Sequence, residues 1–302
     1  MSDNRKGSIL LLLTAMIWGT AFVAQSTGMD YVGPLTYVGV RMLLASLVMV
    51  PVIFISRALS SRKGRTAGRR TSDVSLSVKG GLICGVFLCL ASCAQQAGIV
   101  YTTAGKAAFV TALYILFVPV IGVLLGRRVS GLMIICVPLA VSGFYFLCMK
   151  EDLSVGKGDI FCLCSAVLFS FQILTVDKYS SKNIDPLVFS CAQYFSAGVI
   201  ATVIAFAAEA PRLPAILDAG WSIAYTAVFS SCVAYTLQVY AQRLAEPSVA
   251  SLIMSLESVF AALSGWLILH ETMTLREFMG CALVMTSVVI SQLPAPNGSG
   301  DN

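Results

Sequence analysis

Within LIMSLESVFAALSGWLI, residues 252–268, one carboxylate, Glu257, interrupts a run of apolar and small residues. An acid surrounded by hydrocarbon is costly and is normally kept for function. Two tasks suit it. It can pair with an amino or cationic group of a ligand, or it can take up and release a proton as its surroundings change between water and protein. Two cations also stand in apolar surroundings, Arg41 in RMLLASL and Lys106 in TTAGKAAF. Glu257 lies about ten residues into its segment, roughly 15 Å deep at 1.5 Å per residue. Arg41 is about seven residues from a segment end, and Lys106 only about four. Lys106 can line a vestibule there or extend its ammonium to the surface. Arg41 reads as a structural or gating residue, paired with a carbonyl or a carboxylate. Glu257 itself can bind a ligand or form an ion pair with Arg41 or Lys106.

The elements that carry these residues follow from composition. The chain has 302 residues, 57% hydrophobic and 12% charged, where ordinary soluble proteins carry about 25% charged residues. Apolar runs long enough to cross a bilayer recur at 8–25, 34–56, 76–97, 103–125, 130–148, 156–177, 184–207, 219–242, 247–269 and 273–291. A transmembrane helix needs about 20 such residues, and barrel strands would alternate over about ten. The expected fold is therefore an all-α polytopic membrane protein of ten transmembrane helices. The run near the N-terminus is too long for the apolar region of a cleaved signal peptide and reads as the first span.

The net charge of +5 does not indicate nucleic acid once the charges are placed. With the N-terminus inside, one side collects Arg5, Lys6, Arg57, Arg62, Lys63, Arg65, Arg69, Arg70, Lys79, Arg127, Arg128, Lys178, Lys182 and Arg243. The other has Lys150, Lys157, Arg212 and Arg276. This asymmetry predicts a multi-pass protein of the cell membrane, plasma or inner, with both termini cytoplasmic. The ten cysteines all fall in predicted spans, where Cys behaves as a small apolar residue. A single His, His270, cannot build a histidine metal site. No phosphate-binding loop or dinucleotide fingerprint is present. No cofactor, no metal and no enzymatic activity are expected.

Polar faces of spanning helices must look inward. In the eighth span Ser231, Tyr235, Gln238 and Gln242 share one face. The first offers Thr14, Trp18 and Gln25, the third Ser92, Gln95 and Gln96, the sixth Ser165 and Gln172. Each amide or hydroxyl alone can serve as glue between helices; together the four stripes predict a cavity. In the ninth span Ser251, Ser255, Ser258, Ala262 and Gly265 form a small-residue seam beside the face of Glu257. The pairs Gly81/Gly85 and Gly122/Gly126 read as helix contacts. Thr274 with Glu277 reads as a capping box for the tenth span, and Glu271 as a residue of packing at a helix end.

The halves carry a faint echo of each other. Superposing Pro34 on Pro186 also matches Leu35 with Leu187 and Ala45 with Ala197, and sets Arg41 against Gln193. A second offset matches Gln95 with Gln238 and sets Tyr114 against Glu257. With five spans per half, the second half is upside down, the usual build of secondary transporters. The division expected is 1–150 for the first repeat and 151–302 for the second.

At this point the chain resembles the drug/metabolite transporter superfamily, EamA type. The resemblance lies in IWGTAFVAQ, RMLLASL, GKAAFVTALYILFVPVIGVLLGRR and EPSVASLIMSLESVFAALSGWLILHETMTLREFMGCALV, and covers residues 8–291. Ser258 departs from it where a proline is common, as do Arg127 and Arg128 where glycine-glutamate is common. The resemblance implies a five-plus-five inverted repeat and movement of small metabolites. The expected function is alternating-access secondary transport of an amino acid-, amine- or drug-like metabolite across the bilayer, with proton coupling at Glu257 and export the favoured direction. The substrate-binding residues expected are Glu257, Tyr114, Trp18, Gln96, Gln172, Tyr235, Gln238 and Lys106. The alternative is a carrier or exchanger of small organic anions using Lys106 and Arg41. Protons and a homodimer are further partners compatible with this reading.

Overall fold

The structure, a computed structural model, describes residues 3–62, 72–127, 131–148, 156–268 and 274–291. Those residues are helical, with no strand among them. The elements are α1 (Asp3–Gly28), α2 (Pro34–Arg62), α3 (Val74–Tyr101), α4 (Ala104–Ala112), α5 (Tyr114–Leu124), α6 (Gly131–Cys148), α7 (Lys157–Ser180) and α8 (Pro186–Ala208). After the short α9 (Leu213–Asp218) come α10 (Gly220–Tyr225), a π-helical stretch (Thr226–Tyr235), α11 (Thr236–Ala241), α12 (Pro247–Met254), α13 (Glu257–Ile268) and α14 (Leu275–Ser291). The described chain has eight helices long and apolar enough to cross a membrane, and two shorter apolar helices, Gly131–Phe146 and Phe278–Ser291.

Local chemistry sets the helix starts. Asp73 accepts from the Leu76 amide, Asp185 from Leu187 and Val188, and Thr103 from Lys106, the side-chain capping that unpaired first-turn amides require. Proline opens α2, α8 and α12, where its missing N–H costs nothing. The start of α2 is capped from afar. The Glu209 carboxylate accepts from the amides of Leu35 and Thr36 at 2.8 and 2.7 Å, and from the Thr36 hydroxyl at 2.7 Å.

Two predicted spans are interrupted in the middle. The fourth breaks at Leu113, between α4 and α5. The ninth breaks at Ser255 and Leu256, between α12 and α13. Three-residue hydrogen bonds tighten both breaks, Leu113 N to Val110 O and Leu116 N to Leu113 O in one, Leu256 N to Ile253 O and Ser258 N to Ser255 O in the other. Tyr114 and Glu257 are each the first helical residue after the break. The offset that pairs them also brings Ala104, where α4 starts, onto Pro247, where α12 starts. The offset of Pro34 on Pro186 brings Gly28 onto Ser180, the last residues of α1 and α7.

Packing is paired in the same way. α1 lies on α13, and α4 and α5 on α7; α2 lies on the π-helical stretch, and α3 on α8. α3 with α7, α2 with α8 and α6 with α14 are the remaining large contacts. Glycine permits several of them. A Cβ on Gly81 would meet the Phe189 carbonyl at 2.4 Å, and one on Gly85 the Gln193 carbonyl at 2.5 Å, so this pair is the helix contact that its spacing suggests. Gly122 and Gly126 are not. A Cβ on Gly122 would meet only the Arg127 side chain, and one on Gly126, where φ is 80°, would meet nothing within 4 Å. The Arg127 amide returns to the Gly122 carbonyl at 2.9 Å, so this second pair terminates α5 as a C-cap does.

Candidate functional site

A narrow, partly enclosed cavity lies where both broken helices meet the bundle. Its walls are Trp18, Phe22 and Gln25 of α1, Arg41 of α2, Gln95 of α3, Thr111 of α4 and Tyr114 of α5. Phe169, Gln172 and Ile173 of α7, Ser230 and Tyr235 of the π-helical stretch, Gln238 of α11 and Glu257 of α13 complete them. The space between the wall atoms comes to about 410 Å³, and only a small part of it is wide enough to admit a water molecule.

Glu257 opens α13 and is 4% exposed. An acid at this position lies at the positive end of its own half-helix. The Tyr114 hydroxyl, at the start of α5, stands close to it without completing a hydrogen bond. Tyr114 Oη and Glu257 Oε1 are both buried with no hydrogen-bond partner. The next residue, Ser258, donates to the Ala108 carbonyl at 3.1 Å, which ties the ninth span to the fourth. On the other side, a Cβ on Gly19 would come within 2.8 Å of the Glu257 carbonyl. Gly19 thus lets α1 close on the backbone that carries the acid, and Ser258 of the small-residue seam meets α4.

The aromatic and amide walls are cross-linked. The Trp18 indole N–H donates to the Ser230 carbonyl at 3.1 Å, and the Thr14 hydroxyl to that of Ala234 at 3.4 Å. Both acceptors lie in the π-helical stretch, where the ordinary helical register is lost, and such stretches often border functional sites. The rings of Trp18 and Tyr235 are 4.7 Å apart. Gln172 and Gln238 exchange amide hydrogen bonds at 3.3 and 3.2 Å. Arg41, 2% exposed, donates from Nη1 to Gln25 Oε1 at 2.9 Å and lies 5.8 Å from the centre of the Tyr37 ring, while its Nε has no partner. Arg41 forms no ion pair with Glu257.

Of the residues expected to bind substrate, Glu257, Tyr114, Trp18, Gln172, Tyr235 and Gln238 line this one cavity. Gln96 stands behind the wall, its amide donating to the Gln25 carbonyl at 3.1 Å. Lys106 is elsewhere. Its ammonium is 2.7 Å from Asp159 Oδ2 at the start of α7, so it neither reaches the cavity nor pairs with Glu257. Arg41, read from the sequence as structural, is a cavity wall. Glu271 lies outside the described residues. Gln25 and Gln95 were visible in the polar stripes, and Thr111 adds a hydroxyl that accepts from Gln95 at 3.4 Å. Phe22, Phe169 and Ile173 have no signal in the sequence, because lining a cavity and filling a core require the same apolar types. Of the polar stripe in the eighth span, Tyr235 and Gln238 reach the cavity, beside Ser230; Gln242 instead donates to the Ile173 carbonyl at 3.1 Å. No cluster of His, Cys, Asp or Glu suited to a metal ion occurs among the described residues.

The Lys106–Asp159 pair is partly exposed, with 30% of the Lys106 side chain accessible. Pairs of this kind contribute about 0–1 kcal/mol. Lys106→Ala is expected to change ligand affinity less than about twofold, since a screened charge outside the site contributes little. A titration of ligand-induced thermal stabilisation checks this, and a tenfold loss would place Lys106 in the site.

The profile of the EamA-like transporter family matches residues 5–149 and again 156–292. A protein of Archaeoglobus fulgidus described as an uncharacterized transporter is 29% identical over 94% of this chain and 84% of its own. The uncharacterized transporter YoaV of Bacillus subtilis is 24% identical, over 93% of this chain and 94% of its own. A chloroplastic WAT1-related protein of Arabidopsis thaliana is 23% identical over 95% of this chain and 70% of its own. A solved crystal structure superposes with a TM-score of 0.73, covering 96% of this chain and 97% of that one at 13% identity, a likeness of fold.

Proposed function

The chain belongs to the EamA-like transporter family, and from that premise we propose that it is a secondary carrier of a small metabolite, working by alternating access around the cavity of Glu257. A multi-pass membrane protein of a transporter family implies a small-molecule substrate. The observation that carries the finer reading is the placement of Tyr114 and Glu257. Each begins a half-helix after a broken turn, and both face one cavity. Discontinuous helices at the interface of two repeats are the usual setting of a transporter's substrate site.

The matching helix boundaries and the paired packing support a five-plus-five inverted repeat, with repeats at 1–150 and 151–302 and α6 and α14 as the fifth and tenth spans. Rocking of one half against the other opens the cavity to each side in turn. Glu257 binds the amino or cationic group of the substrate and exchanges it for a proton, which couples export to the proton gradient. Trp18 and Tyr235 hold the apolar part of the substrate; Gln172 and Gln238 fix its polar edge. The charge asymmetry supports a location in the cell membrane with both termini in the cytoplasm. The carrier neither needs a cofactor nor alters its substrate covalently.

The test begins with a thermal-shift screen of the purified protein against amino acids, amines, nucleobases and organic anions. A ligand at a hundredfold excess over Kd adds about 2.7 kcal/mol of apparent stability. Saturable uptake of that ligand into proteoliposomes, absent from protein-free vesicles, supports the carrier. Flux that rises linearly without saturation contradicts it.

A further inference from the structure

We propose that a groove on the outside of the bundle, separate from the cavity of Glu257, holds one phospholipid, its acyl chain in the groove and its phosphate on Arg212. The groove runs between α2 and α8 and is closed at one end by α9. Val40, Leu44 and Leu47, spaced four and three apart on one face of α2, line it with Phe206 of α8 and Ile216 of α9. Arg41, the neighbour of Val40, is buried and turns inward to the cavity, so α2 serves the two sites with different faces. A Cβ on Gly198 would stand 2.8 Å from the Leu43 nitrogen, and one on Gly39 3.0 Å from that of Thr202. The two helices therefore meet backbone to backbone at the floor of the groove.

Its dimensions point to a hydrocarbon chain. From Thr36 at one end to Leu47 at the other is roughly 16 Å at 1.5 Å per residue, about half of the roughly 30 Å hydrocarbon core of a bilayer. The groove thus spans one leaflet, which is the outer one when both termini are cytoplasmic. The space between its walls comes to about 840 Å³, and about half of it, 430 Å³, is wide enough to admit a water molecule. Dividing 840 Å³ by roughly 16 Å gives a section of about 50 Å². A helix 10–12 Å across fills roughly 80–110 Å², so a helix of a second copy does not fit, whereas an extended alkyl chain does. Charge selects the class of lipid. Thr36 and Pro211 stand at the mouth, and the next residue, Arg212, is exposed and makes no ion pair with a described residue. Of the acids near it, Glu209 is engaged by Leu35 and Thr36, and Asp218 is at the far end of α9. Tyr31 and Trp221 are exposed at this same end of the bundle, as aromatic side chains at the level of lipid headgroups are. A phosphate at that level pairs with the guanidinium, and the chain below it covers the exposed Leu47 and Phe206.

The test uses the intact protein in detergent, stripped of lipid and followed by native mass spectrometry. Phosphatidylglycerol and a diacylglycerol with the same chains are titrated separately. One phosphatidylglycerol per chain is expected to bind ahead of all others, about fivefold more tightly than the diacylglycerol, the worth of one basic side chain at an anionic lipid surface. This comparison needs only the native chain, so it stands whether or not a variant folds. Arg212→Gln should remove the preference and leave the affinity for diacylglycerol unchanged. Val40→Phe, which fills the groove, should abolish this first binding event for both lipids. Equal affinity of the native chain for the two lipids overturns the proposal, as does a first binding event that survives Val40→Phe. A dimer that Val40→Phe dissociates overturns it too, and would make the groove an interface between copies. None of these outcomes bears on the carrier reading, which concerns the cavity of Glu257.

Discussion

Glu257→Gln is expected to lower substrate affinity at least about thirtyfold and to abolish net transport, with the folded protein recovered in normal yield. Truncating one member of a buried, hydrogen-bonded charge pair costs about 2–5 kcal/mol, and about 1.4 kcal/mol is a factor of ten. Among the described residues the acid has no ion-pair partner and its Oε1 makes no hydrogen bond, so the amide, a neutral group of the same shape, breaks no ion pair. The folded state should therefore lose no stability, and gains some wherever the acid is ionised, because an unpaired buried charge opposes folding. Opposite effects on stability and binding distinguish a site residue from a structural one. Differential scanning of the variant with and without ligand reads both. A lowered melting temperature with unchanged affinity would make Glu257 structural.

The second large effect concerns a residue without chemistry. Gly19→Leu is expected to destabilise the fold by about 1–3 kcal/mol, as overpacking of a tight interior does, and to stop transport. A Cβ at this position would stand 2.4 Å from Phe260 Cβ, and 2.8 Å from both the Ala261 nitrogen and the Glu257 carbonyl. Two of these three atoms are backbone, so rotation of a side chain cannot relieve the contact. α13 must move away from α1, and Glu257 moves with it. Gly105, where an added Cβ would meet nothing within 4 Å, is the control: Gly105→Ala should melt within about 0.5 kcal/mol of the parent, the usual range for unobstructed surface changes. Thermal melts in detergent, with uptake measured in parallel, check both variants. Wild-type stability in Gly19→Leu would mean that α1 and α13 are not in close contact.

The spans were legible because bilayer thickness leaves a coarse mark, about 20 apolar residues at a time. Their interruptions were not. The breaks fall at Leu113 and at Ser255–Leu256, residue types that serve equally well inside a helix, with neither glycine nor proline to mark them. The π-helical run TAVFSSCVAY likewise carries no breaker. The faint pairing of Tyr114 with Glu257 was the one hint, and the structure puts both at the same place in their helices. Lys106 was misplaced for a different reason. Its partner, Asp159, belongs to a helix two spans away, and a pairing of that kind depends on how the helices pack. The two glycine pairs teach the same lesson: Gly81/Gly85 and Gly122/Gly126 share a spacing, yet one is a contact and the other a terminus, decided by whether another helix passes there. Polar stripes fared better, because lipid forbids most alternatives: of the residues they flagged, Trp18, Gln25, Gln95, Gln172, Tyr235 and Gln238 converge on one cavity.

The central claim is that one cavity containing Glu257 serves both faces of the membrane in turn. Counterflow in proteoliposomes tests it most directly. Vesicles holding wild-type protein are loaded with a high concentration of unlabelled ligand and diluted into a trace of labelled ligand. A carrier with a single alternating site predicts transient accumulation of label above its equilibrium level, and Glu257→Gln predicts none. Label that only equilibrates in wild-type vesicles, or an overshoot of equal size in the variant, would contradict the account.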